Sequence, residues 1–282
     1  MTISIRPLGD PDLESADAVL KLAFQSPVSR FGDLCLYRQI QPDGWFAATQ
    51  SDHLVGMVGA AKYDTFAHVG LMAVHPQTQR QGVGSALMQY LLSGLERQQV
   101  PLVTLDASQA GRPLYEKLGF ISYDETLVFQ RHVNGNRPER PAHIQVLTGR
   151  ELDELVELDT AIFGADRRKV FQVLLKAFPE RAFIQRDSNG QLIGYLFAQK
   201  NRIGPWVTLQ PGFAEALLLA ALGLPYEETV SVTVPSVNPD AIELLWRHGF
   251  DWLRANRHMG RGKGRLPGNR QKIYSQTSLA VG

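Results

Sequence analysis

Two hydrophobic periods alternate along the chain, and the alternation runs through twice. From Ile3, "ISIRPL" switches between apolar and polar side chains as a half-buried strand does, and "LESADAVLKLAF" then places apolar residues at helical spacing. The segment "GWFAATQSDHLVGMVGA" reads as two strands joined by a polar turn. Val69 to Val74 is a continuous apolar run, the pattern of a buried strand, and Pro76 ends it. After a polar turn, Val83, Leu87, Tyr90, Leu91 and Leu95 recur with helical period, and "LVTLDAS" supplies the next strand. "RPLYEKLGF" reads as a short helix, with Pro near its start and a Gly exit followed by an aromatic that packs back.

The same order returns beyond "NGNRPERPAH", a stretch of Asn, Gly, Pro and charge that reads as a linker. "HIQVLTGRELDELVELDTAIF" repeats the opening, with Leu8 and Phe24 matching Leu147 and Phe163 at one offset. "RAFIQRDSNGQLIGYLFAQ" repeats the hairpin, and "NPDAIELLWRHGF" repeats the short helix. The division that follows is a first domain over 1–133, a linker over 134–141 and a second domain over 142–282. Each is expected to be an α/β (α+β) unit, a mixed and mostly antiparallel sheet flanked by helices. A chain of 282 residues is long enough for two cores.

Composition narrows the function classes. With 44% hydrophobic residues, 20% charged residues and a net charge of +1, the chain carries no global field that would recruit nucleic acid or anionic lipid. Its longest apolar run, Ala216 to Leu222, falls far short of the roughly 20 residues of a membrane span, so no membrane partner is expected. The opening residues lack a basic flank, apolar core and cleavage pattern, which makes a cytoplasmic location the expectation. The single cysteine, Cys35, excludes an internal disulfide and a Cys-rich metal site, and no metal is expected. After Asp251 only basic charges follow: Arg254, Arg257, Arg261, Lys263, Arg265, Arg270 and Lys272. Without interleaved aromatics this run reads as a solvated extension rather than a nucleic-acid surface. "KIYSQTSLAVG" alternates and could cross between the domains as a strand.

Chemistry concentrates where the copies differ. "QTQRQGVGSAL" puts Gly82 and Gly84 at the mouth of a helix, where free amides and the positive end of the dipole converge. Consecutive amides without β-carbons in the way cradle phosphate oxygens, so the expected ligand is a pyrophosphate. The nucleoside-triphosphate loop pattern is absent, and the dinucleotide fingerprint fails at Leu87. Val74, Pro76, Gln79, Gly82 and Gly84 instead fit Gln/Arg-x-x-Gly-x-Gly after a strand ending in Val-x-Pro. The second copy has only "GPWVTLQPGFAEALLLAALG" at this place.

With this loop, the "LVTLDAS" strand and "SQAGRPLYEKLGF", the sequence resembles the GNAT superfamily of N-acetyltransferases, in its tandem bacterial form with an intact first domain and a degenerate second one. Ser108 and Gly111 depart from the Asn and Ala of the family's segment, whereas Tyr115 and Gly119-Phe120 match it. The resemblance implies that acetyl-CoA is the cosubstrate and a primary amine, small or peptidic, the acceptor. By the same resemblance, Met72, Ala73 and Val74 hold the pantetheine arm, and Gln79, Arg80, Gln81, Gly82, Val83, Gly84, Ser85 and Ser108 complete the cofactor site. Tyr115 is the implied general acid, since a phenol with a pKa near 10 keeps its proton at neutral pH. His68 stands where several members carry a catalytic glutamate, and either it or a water serves as base. "RFGDLCLYRQIQPDGWF" lies where the family builds its acceptor wall, making Phe31, Tyr37 and Trp45 candidates there. In the second copy Leu245 replaces the tyrosine and the loop is missing, so turnover is not expected from it. The rival reading is a non-catalytic acyl-CoA-binding sensor or scaffold.

Overall fold

The computed structural model describes residues 3–133, 135, 137–263 and 266–282. Asn134 and Asn136 of the expected linker and Arg265 of the basic run lie outside the described residues. The first repeat opens with β1 (Ser4–Pro7), α1 (Leu13–Ala23), α2 (Phe31–Ile40), β2 (Trp45–Gln50), β3 (His53–Lys62) and β4 (Ala67–Val74). It closes with α3 (Val83–Arg97), β5 (Leu102–Ala107), α4 (Arg112–Lys117) and β6 (Ile121–His132). The second repeat runs β7 (Gln145–Val146), α5 (Leu152–Phe163), α6 (Arg168–Ala177), β8 (Ala182–Arg186), β9 (Leu192–Ala198) and β10 (Arg202–Thr208). Then come α7 (Ala214–Leu222), β11 (Thr229–Pro235), α8 (Pro239–Arg247), β12 (Asp251–Gly262), a 3₁₀ turn at Arg270–Lys272 and β13 (Ile273–Ser275).

Among the described residues thirteen strands form one sheet, in the order β1, β2, β3, β4, β5, β12, β6, β11, β10, β9, β8, β7, with β13 beside β10. Every pairing is antiparallel except β4 with β5 and β10 with β11. The repeats legible in sequence are therefore interlocked. β12 of the second pairs β5 of the first, with His258 opposite Asp106, and β6 of the first pairs β11 of the second, with Phe129 opposite Val232. β6 and β12 pair with each other from Gln130–Asp251 to Ile121–Gly260. The exchange gives each long strand a partner on both sides, which removes two edges that would otherwise present unpaired backbone.

Helices cover the sheet, and one core crosses the boundary between repeats: Leu20 and Leu34 from α1 and α2, Phe163 and Phe171 from α5 and α6, and Val281 belong to the same buried cluster. A second core lies beneath α3 on the opposite face, where Val83, Leu87 and Leu91 meet Val69, Leu105 and Met259. Trp45 is buried over Gly59, where a β-carbon would stand 1.8 Å from the indole ring, so only glycine fits there.

The alternating tail passes from one repeat to the other. β13 joins the second repeat, and residues 276–282 continue onto the first. There they fold into a turn closed by Thr277 N donating to Gly282 O at 2.8 Å. Arg167 donates to Thr277 Oγ1 at 3.2 Å, Gln199 Nε2 donates to Thr277 O at 2.9 Å, and the Tyr63 hydroxyl donates to Val281 O. Ala280 lies directly on β4: a β-carbon on Gly70 would come within 2.2 Å of its Cα. Gly70→Ala should thus lower the free energy of unfolding by about 1–3 kcal/mol through overpacking. Urea unfolding measures this, and an unchanged midpoint would remove the Gly70–Ala280 contact from the account.

Candidate active site

β4 and β5 pair only from Ala67–Val103 to Val69–Leu105 and then separate. The separation follows from a bulge: against β3, Gly70 faces Gly59 and Ala73 faces Met57, so Leu71 and Met72 share the single residue Val58. Leu71 holds φ at +50°, a strained value for a branched side chain of the kind that collects at functional sites. Past the bulge the β5-facing edge of Leu71, Met72, Ala73 and Val74 has no strand partner, and a V-shaped gap opens there.

The polar loop closes the wide end of that gap. Gln79 Nε2 donates to Val74 O at 3.0 Å, and Thr78 Oγ1 donates to His75 O at 3.1 Å, tying loop to strand. Arg80 (φ +61°) and Gly82 (φ +86°) turn the backbone left-handed just before α3, and Gly82 is its N-cap. Among the described residues, the amides of Arg80, Gln81, Gly82, Val83, Gly84 and Ser85 donate to nothing. Arg80, Gln81 and Gly82 are exposed, Val83 is buried, and Gly84 and Ser85 are half-buried. Six consecutive free donors at a helix start are an arrangement suited to anionic oxygens. Gly84 serves a second end, because a β-carbon there would stand 3.0 Å from Met72 Cε and 3.4 Å from Leu114 Cδ2. Bulge, loop and α4 meet at this point.

Tyr115 sits on α4 next to Leu114, its ring buried against Phe120 with centroids 5.9 Å apart. Burial alone raises the phenol well above its usual range, so it keeps its proton. Its hydroxyl donates to no described residue, although it is not sealed from solvent. Ser108 is exposed at the end of β5 and accepts from Gly111 N through Oγ at 3.2 Å, which starts the turn into α4.

His68 is placed differently from an open base. It lies on the other face of the sheet from α3, almost completely buried, with Nδ1 3.0 Å from Thr104 Oγ1. Nε2 faces two acceptors, Leu279 O at 3.4 Å and Asp106 Oδ2 at 3.7 Å, while Nδ1 meets the hydroxyl of Thr104, which also reaches Ala67 O at 3.4 Å. Burial lowers its pKa to about 4, against the pull of Asp106, and the ring is neutral at pH 7. Asp106 is the hub: Oδ1 accepts from Thr126 Oγ1 at 2.6 Å and from His258 at 2.9 Å, and Oδ2 accepts from Gln276 at 3.2 Å. Burial pushes this carboxyl up, but His258, His68 and Arg270 outweigh it and hold Asp106 well below the usual carboxylate range. The sequence reading missed Asp106 and His258. The available signal was an acid inside the apolar strand "LVTLDAS", since a buried carboxylate requires partners.

The remaining expectations divide. Tyr37 and Trp45 do not line a wall: both are core, stacked at 5.9 Å, with Trp45 Nε1 donating to Tyr37 O at 3.2 Å. Phe31 is exposed at the start of α2. In the second repeat β10 and β11 also separate, after Ile203–Val232. There the gap is filled by the chain itself. β13 pairs β10, Ser275 Oγ donates to Ile203 O at 2.7 Å and accepts from Thr233 N at 3.2 Å, and Gln276 N donates to Thr233 O at 2.9 Å. Leu245 is fully buried, and Asn238 caps α8 by accepting from Ala241 N at 3.0 Å. Among the described residues no three His, Cys, Asp or Glu side chains converge as a metal site, and no helix is long and apolar enough to cross a membrane.

Comparison with known proteins agrees with this fold. Two profiles, each described as an acetyltransferase (GNAT) domain, match residues 17–133 and 155–275. The chain is 24% identical over 243 residues to the uncharacterized N-acetyltransferase YitH of Bacillus subtilis, covering 84% of this chain and 85% of that one. It is 24% identical over 257 residues to the holothin acyltransferase of a Pseudoalteromonas species, covering 89% and 85%. Among solved structures, a proposed acetyltransferase from Pyrococcus horikoshii superposes with a TM-score of 0.88 at 27% identity, over 99% of this chain and 96% of that one. A tandem GNAT protein from the clavulanic acid biosynthesis pathway gives 0.65 at 15% identity, over 94% and 99%. The chain belongs to the GNAT acetyltransferase family and carries two of its domains in tandem.

Proposed function

We propose that the first repeat is an N-acetyltransferase that takes an acetyl group from acetyl-CoA and passes it to a primary amine within a ternary complex. The observation that carries this reading is the contrast between the two gaps: the one between β10 and β11 is closed by β13, whereas the one between β4 and β5 is open and ends in six free amides. Residues 71–74 would hold an extended arm along the unpaired edge of β4, and the amides of Arg80 to Ser85 would take the pyrophosphate, with Gln79 and Ser108 at the rim. Acetyl-CoA supplies the activated acyl group. The protein's part is to align the thioester, exclude water and manage two protons. Tyr115 Oη holds a proton suited to the departing sulfur, and amides at the bulge are suited to the developing oxyanion. The free Tyr115 hydroxyl favours catalysis over a purely binding role, because a sensor gains nothing from an acid beside the sulfur.

A panel of polyamines, amino acids, aminoglycosides and short peptides, assayed for thiol release from acetyl-CoA, tests the activity and finds the acceptor. Tyr115→Phe should lower turnover by about 100-fold or more, the usual size of a lost proton donor, while leaving acetyl-CoA affinity nearly unchanged. Equal turnover in the two proteins would move the acid elsewhere. Calorimetric titration with acetyl-CoA should give one site per chain, since the second gap is filled, and a stoichiometry of two would contradict that division of labour.

A further inference from the structure

His258 reaches the first repeat on the strand that the second repeat lends it. On β12 it stands opposite Asp106, with its ring stacked on that of His68 at 6.4 Å between centroids. Its Nδ1 lies 2.9 Å from Asp106 Oδ1. An ionised carboxylate can only accept, so Nδ1 carries a proton, and in the neutral ring Nε2 presents a lone pair. That nitrogen has no hydrogen-bond partner among the described residues. The ring borders a cavity of about 30 Å³, large enough for one water-sized group.

Three further features show what the cavity would take. Gln276 Oε1 is buried without a partner, and Gln276 lines the same cavity, so two acceptors border one small space. Arg167 and Arg270 also line it, and although each is paired, to Asp159 and Asp124, their charge disfavours a cation there. The occupant that fits is a neutral donor, a water or an uncharged amine. His68 lines the cavity too, but Thr104 and the acceptors around Nε2 occupy both of its nitrogens.

We propose that His258, oriented by Asp106, accepts the proton of the attacking amine through a water held in this cavity, and that the second repeat thereby completes the active site of the first. The assignment rests on the acetyltransferase reading above. In the step, the amine nitrogen bonds to the acetyl carbon and the carbon–sulfur bond breaks. The amine proton passes by way of the water to His258 Nε2, the sulfur takes the proton of Tyr115, and solvent restores both side chains. Asp106 is a positioning residue that fixes the tautomer. The groups facing His258 are Asp106 from β5, His68 from β4, Thr126 from β6, Arg270 from the 3₁₀ turn, Gln276 from the tail and Arg167 ahead of α6.

The test uses the full chain, acetyl-CoA and whichever panel amine is turned over fastest. His258→Gln should bind acetyl-CoA as the wild type does and transfer about 100-fold more slowly. His258→Ala should regain activity when imidazole is added, a rescue that a merely structural role would not give. Rates are expressed per acetyl-CoA site measured by calorimetry, so loss of fold cannot imitate loss of the base. A His258→Gln protein with the wild-type rate, or a His258→Ala protein that imidazole does not rescue, overturns this assignment alone. A wild type that binds no acetyl-CoA sinks the reading beneath it as well.

Discussion

Two parallel strands that part company leave hydrogen-bonding groups along the edges they turn toward each other, and those groups must find partners. The sheet of this protein meets that requirement twice and answers it in two ways. Between β10 and β11 the chain inserts its own β13, and the hydroxyl of Ser275 and the amide of Gln276 complete the ladder. Between β4 and β5 no segment enters among the described residues, and a bulge at Leu71 keeps the edges apart. A fold duplicated in one chain has thus left one groove open and filled the other with its own strand.

The exchange of β6 and β12 makes the two halves interdependent. Because β12 lies between β5 and β6, His258 arrives opposite Asp106 and Met259 enters the core beneath α3. The tail that closes the second gap then runs on to cover Gly70 and His68. The face of the first repeat opposite α3 is therefore built from both repeats. Asp106 shows the physical logic: burying a carboxylate is costly unless it is matched, and here it is matched by donors from β6, β12 and the tail.

Much of this was legible in the sequence, for identifiable reasons. The repeated order of strands and helices came through because each element has its own period and its own Gly or Pro punctuation. The helix start at Gly82 and Gly84 was legible because an apolar helical period begins there, and the Pro and Gly of "RPLYEKLGF" put Tyr115 on a short helix. The strand exchange was not legible, since period and propensity describe a strand without naming its neighbour. For the same reason His258 and Asp106, 152 positions apart, gave no joint signal. His68 was found by position, yet its buried surroundings, with Thr104 on one nitrogen and acceptors on the other, depend on contacts that only the fold brings together. Tyr37 and Trp45 went to the core because α2 packs against α1 and α6 and the two rings stack on each other, which the aromatic content of the segment could not reveal.

The central claim is that the open edge of β4 and the bare amides ahead of α3 hold the cofactor of the first repeat alone. A crystal structure of the full chain grown with coenzyme A tests it most directly. The account predicts the pantetheine arm between β4 and β5, the pyrophosphate at the amides of Arg80 to Ser85, and β13 still in place beside β10. Coenzyme A found between β10 and β11 with β13 displaced, or bound away from Gly82 and Gly84, would contradict it.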